Sequence, residues 1–100
     1  MKEFWIRGDG NSLAKVEEMD NMSMKVHFGH EDNGVWIPWT FTKEYILDTV
    51  ESEWEAWKKI EEIYKEEPDY NIAILVEKEK KLFLIDAGEE AEEWKVEVVE

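Results

Sequence analysis

The chain of 100 residues has no cysteine, only two prolines and five glycines, and just 12 basic residues against 26 acidic ones. Without cysteine it has no disulfide frame, no thiolate nucleophile and no cysteine-ligated zinc. No apolar run approaches the roughly 20 residues of a membrane helix. The opening Met1-Lys2-Glu3-Phe4-Trp5 also lacks the basic segment and apolar stretch of a secretory leader, so cytoplasmic residence is the simplest expectation. On that expectation the Asn21-Met22-Ser23 glycosylation sequon is without consequence. The shortage of Lys and Arg argues against direct binding to nucleic acid or to an anionic membrane, because a negative field repels both.

What is present is acid, and it is unevenly placed. The net charge is −14, with 5 basic and 9 acidic residues up to position 50 and 7 and 17 after it. Such a field attracts basic surfaces, including the nucleic-acid channels of other proteins. Solubility, or the Glu/Lys bias of thermophile proteins, would give the same composition without a binding role. Six tryptophans, Trp5, Trp36, Trp39, Trp54, Trp57 and Trp94, supply enough apolar area for a single domain spanning 1–100.

The pattern predicts β-β-β-β-α-β-β-β, an α+β domain in which one long amphipathic helix packs across an antiparallel sheet of about seven short strands. Phe4 to Arg7 and Leu13 to Glu18 flank the turn Gly8-Asp9-Gly10-Asn11. Met22, Met24, Val26 and Phe28 alternate with polar residues as a third strand, and Asn33-Gly34 turns into a short fourth, Val35-Trp36-Ile37, ended by Pro38. Thr42 reads as a helix N-cap, with Phe41 and Ile46 as a hydrophobic staple. Ile46, Val50, Trp54, Trp57, Ile60 and Tyr64 then draw an apolar stripe to about Glu66, before Pro68. Asn71 to Glu77 and Leu82 to Asp86 are apolar on both alternations, as strands covered on both faces are, with Lys78-Glu79-Lys80 turning between them. Trp94, Val96 and Val98 alternate as a last strand after a Glu-rich connection from Ala87 to Glu93.

No catalytic constellation emerges, and no enzyme, metal or cofactor is expected. His27, His30, Glu31 and Asp32 are metal-compatible residues, but their spacing matches no metal motif and a solvated turn accounts for them. Arg7-Gly8-Asp9 and the Gly10-Asn11-Ser12 after it read as a turn, and no Ser or Thr sits in a nucleophile elbow. On the expected helix, Asp48, Glu51, Glu55, Glu62 and Glu66 form a carboxylate row whose four-residue steps of about 6 Å approach the spacing of strand phosphates. A solvated face with (i, i+4) pairs such as Glu55 with Lys59 is the plainer explanation. Glu89, Glu90, Glu92 and Glu93 extend the negative surface. Trp54 and Trp57 read as core, and Trp36 and Trp39 are the better candidates for an exposed contact patch, with burial the favoured reading for each tryptophan taken singly.

The string Gly34-Val35-Trp36-Ile37-Pro38 resembles a Val-Trp-Ile-Pro feature of small β-rich proteins from phages and mobile elements. It covers about five residues, and Trp39 and Thr40 stand where basic and serine positions commonly follow there, so no functional residue carries over. Together these features predict a small acidic protein-binding module. It would act as a phage-type anti-defence inhibitor whose DNA-like charge masks a basic surface on a nucleic-acid-handling enzyme, with Trp39 as the desolvated anchor. The alternative is an accessory or immunity-type protein that binds through an aromatic sheet face, its charge incidental. An unpaired strand edge would also permit a homodimer.

Overall fold

The computed structural model describes residues 2–97. Its elements are β1 (Glu3–Arg7), β2 (Leu13–Glu18), β3 (Ser23–Asp32), β4 (Val35–Val50), α1 (Glu53–Glu66), β5 (Ile72–Val76), β6 (Lys81–Ile85) and β7 (Glu92–Glu97). The order is the expected one, with one helix and seven strands among the described residues. Val98, placed by its alternation in the last strand, lies outside them.

The sheet is not open. It closes into a barrel in which each strand pairs with the next and β7 returns to β1. A closed ring of seven strands cannot alternate direction throughout, so one neighbouring pair must be parallel. That pair is β4 with β5, from Ile46 opposite Ile72 to Val50 opposite Val76. Parallel neighbours need a crossover, and α1 supplies it on the outside of the barrel.

The two cores follow from this arrangement. Inside the ring, Ile6, Ala14, Val16, Met24, Val26, Phe28, Tyr45, Ala73, Leu75, Leu82, Leu84 and Trp94 fill the lumen, as in other small barrels. Outside it, Ala56 and Ile60 of α1 pack on Ile72, Ile74, Val76, Phe83 and Ile85. β5 and β6 are therefore covered on both faces, which is why their sequences are apolar on both alternations. The other strands are covered mainly from within and read as alternating.

The principal correction lies in β4. This strand runs 16 residues, through Pro38 and on to Val50, where the sequence suggested a short strand and an early helix. Thr42 is a strand residue opposite His27, and the helix is capped instead by Ser52, whose Oγ accepts the Glu55 N–H at 3.2 Å. Glu55 Oε2 in turn accepts the Glu51 N–H at 3.1 Å, a close variant of the capping box. Two physical reasons defeat the early helix. Thr40, Phe41, Thr42, Tyr45, Ile46, Thr49 and Val50 favour extended backbone. The Ile46–Val50 step of four also shares one face in a strand as well as in a helix, so it could not discriminate between them.

The misplaced start also misassigned the stripe. Trp54 is 70% exposed and Trp57 45% exposed, with only the edge-on packing of Trp57 against Phe83 at 5.0 Å tying the latter to the core. Ile46 is exposed, and so is Met22, which has a left-handed backbone (φ 59°) in the turn before β3.

Candidate protein-binding cleft

The barrel has one elaborated mouth, formed where β1 ends, β2 begins, β6 ends and β7 begins. Beyond it β3 and β4 continue as a two-stranded arm to the Asn33-Gly34 turn, whose residues have φ of 51° and 81°. Where the arm leaves the barrel the pairing slips. His27 is opposite Thr42 and Gly29 opposite Pro38, so Trp39, Thr40 and Phe41 together oppose Phe28 alone. A bulge of this kind re-aims side chains, and here it turns Trp39 and Phe41 toward the mouth.

A cleft of about 910 Å³ opens there. Its aromatic wall is continuous: Trp39 to Phe41 is 6.1 Å between ring centres, Phe41 to Phe28 is 5.6 Å, and Phe28 to Trp94 is 5.8 Å. Phe28 and Trp94 are buried at the top of the lumen, while Trp39 and Phe41 are 40% and 47% exposed. Gly8 is required below Trp94, since a Cβ at that position would lie 2.8 Å from the indole ring. The Arg7-Gly8-Asp9 turn thus supports the cleft wall.

Polar groups hold the opposite side in place. Asp86, just after β6, accepts the Tyr45 hydroxyl at 2.6 Å and Lys43 Nζ at 2.8 Å, joining β4 to β6 across the start of β5. Burial and, next, the bond to Asp86 push the Tyr45 hydroxyl far above its ordinary pKa, so it stays a donor. The β6–β7 loop is pinned by the Gly88 N–H to the Pro68 carbonyl, the Ala87 N–H to Asn71 Oδ1 and the Tyr64 hydroxyl to the Glu89 carbonyl. Arg7 is engaged by Glu97 at 2.7 Å and Glu31 at 3.5 Å. Among the described residues, Asp9, Glu89 and Glu92 line the cleft without an ion pair, and Lys95 is the one lining cation in the same condition.

The carboxylate row on one helix does not exist as expected. Asp48 lies on β4 and is paired with Lys59, Glu51 lies in the turn before the helix, and Glu55 is occupied in the cap. Glu62 and Glu66 remain exposed on α1. Glu89 and Glu90 sit in the β6–β7 loop, while Glu92 and Glu93 already belong to β7, opposite Leu84 and Phe83. Tyr64 brings the loop against the helix, so Glu89 to Glu93 and the later part of α1 share one side of the molecule.

Trp36 is not a free contact residue. Its Nε1 donates to the Leu13 carbonyl at 2.8 Å and Trp5 packs edge-on to it at 4.9 Å, with Gly29 leaving room beneath. Trp39 is 40% exposed and donates to His30 Nδ1 at 2.8 Å. His27 points elsewhere, its Nε2 3.3 Å from Glu17. The sequence reading missed Phe41, Phe28 and Trp94 as cleft residues, and the alternation Trp39-Thr40-Phe41-Thr42 was the signal that they belonged to a strand.

No helix among the described residues is long and apolar enough to cross a membrane. Comparison with protein-family models, curated proteins and solved structures returns no match to the chain.

Proposed function

We propose that the chain is a small acidic protein-binding module that docks on, and thereby masks, a basic surface of a partner protein. The nucleic-acid-binding face that a phage-type anti-defence inhibitor would cover is a surface of that kind. The observation that carries this reading is the cleft at the barrel mouth, where exposed Trp39 and Phe41 stand beside Asp9, Glu89 and Glu92, carboxylates with no ion pair among the described residues, Glu92 accepting only the Trp94 indole N–H at 3.3 Å. A desolvated aromatic anchor beside charge of one sign is how a compact interface gains both affinity and selectivity. In this reading charge masking and aromatic contact act at one site, with Asp9, Glu89 and Glu92 taking the acidic part in place of the helix row.

The test is to capture the partner on the immobilised protein, identify it, and measure its affinity at about 50 and 500 mM salt. Trp39→Ala should weaken binding by at least about tenfold at both salts, and Glu89→Lys with Glu92→Lys should weaken it mainly at low salt. A partner held equally by both variants would refute the assignment of this cleft.

A further inference from the structure

The cleft is bounded on one side by a strand edge with no neighbour. β5 pairs with β4 only from Ile46 to Val50, so from Val35 to Tyr45 the side of β4 away from β3 meets no strand among the described residues. Among the described residues this is the longest stretch of barrel strand with a ladder on one side only, since β1 lacks β7 just at Glu3 and Phe4, and β3 beyond His27 is met by the bridge from Ser12 to His30. The direction of the backbone groups on the arm follows from its turn. A two-residue turn makes Asp32 and Val35 a hydrogen-bonded pair, so Val35 and Ile37 bond to β3 while Trp36 directs its amide outward. The Glu31 N–H confirms the alternation, since it points away from β4 to the Asn11 carbonyl at 2.8 Å. Pro38 is the next residue on the outward row. The strand tolerates it because the N–H it lacks would have faced open space.

Resting on the reading above, we propose that an extended, basic segment of the partner adds as a strand in the lane alongside β4, ahead of the point where β5 begins. The lane runs along the open edge of β4 past Trp39 and Phe41, and Glu89 and Glu92 line the same cleft. An extended segment presents backbone to that edge and alternate side chains to the cleft, the geometry of strand addition. Charge selects the occupant. Lys43 and Arg7 are neutralised within the chain, Lys95 stands alone against Asp9, Glu89 and Glu92, and the chain as a whole carries −14, so a basic segment is attracted while a second copy of this chain would bring acid against acid.

The probe is a blocked peptide of about ten residues alternating Lys and Val, titrated against the intact protein by tryptophan fluorescence at low salt. Two analogues carry N-methyl groups on the Lys amides or on the Val amides, keeping charge and apolar content while removing the donors of one edge. One analogue should lose affinity by at least about tenfold and the other should be nearly unaffected, because only one edge of the segment faces β4. Equal binding by all three peptides overturns strand addition but leaves the cleft assignment to its own test with the captured partner and Trp39→Ala. No binding by the unmethylated peptide also overturns strand addition. A concentration-dependent dimer that the peptide does not dissociate would put a second copy in the lane, overturning the choice of occupant.

Discussion

Ile60→Ala and Trp54→Ala test where the helix begins and which face it buries. Ile60 is 3% exposed and belongs to the cluster of Ile72, Ile74, Val76, Phe83 and Ile85, whereas Trp54 is 70% exposed, with Lys58 Nζ over its ring 5.1 Å from the centre. Ile60→Ala removes about three buried carbons, near 0.8 kcal/mol each, and leaves a cavity between two layers, for a total of about 3 kcal/mol. In a domain of this size that lowers Tm by roughly 12–24 °C. Trp54→Ala loses an exposed cation–π contact of about 0.5–1 kcal/mol and regains much of it through the better helix propensity of alanine, so its net change is about 0.5 kcal/mol or less. Thermal unfolding followed by circular dichroism measures both. Comparable losses, or a larger loss for Trp54, would refute the burial of the Ala56–Ile60 face and restore the stripe expected of a helix starting at Thr42.

Two further outcomes follow from close contacts. Gly29→Ala puts a methyl group 2.6 Å from the Ile37 carbonyl and into the Trp36 indole, so it should cost about 2–4 kcal/mol in urea unfolding. Gly34→Ala, at φ 81° in open space, should cost only about 1–2 kcal/mol, and a reversed order would count against the Trp36 clamp. Tyr45→Phe tests the hydroxyl that burial and Asp86 keep protonated. A folded-state pKa raised above the unfolded value contributes stability fully present below pH 10 and lost as pH rises beyond it. The parent should therefore weaken in that alkaline range, and the variant should weaken less steeply in unfolding measured from pH 8 to 11; parallel slopes would contradict the buried donor.

Much of the fold was legible because its periodicities are unambiguous. The alternation of Met24, Val26 and Phe28 reports a strand covered on one face, and the unbroken Ile72–Val76 and Leu82–Ile85 runs report strands covered on both. Barrel closure was not legible, because nothing local in Trp5, Ile6 and Arg7 announces that Glu97, Val96 and Lys95 lie beside them. The helix start was legible and was misread: Ser52-Glu53-Trp54-Glu55 is a capping-box string, while a four-residue spacing upstream imitated helical periodicity. Trp39 could be singled out only as a candidate for exposure, on the same footing as Trp36, which is anchored to the Leu13 carbonyl. The association of Trp39 with Phe41, Phe28 and Trp94 depends on a bulge opposite Phe28 that composition does not encode.

The pairing of β1 with β7 also governs how fast the molecule can assemble. Arg7 and Glu97 bond across 90 positions of chain, and the ring is incomplete until that last ladder forms. Adjacent hairpins such as β5–β6 can form early because their loops are short, but closure draws on the longest loop available and carries its full entropy. Contacts of such high sequence separation place folding toward the slower, millisecond-to-second end of small domains. Until closure, the outer edges of β1 and β7 stand open as the arm of β4 does in the finished molecule, and the repulsion between chains of net charge −14 then opposes the pairing of half-built rings.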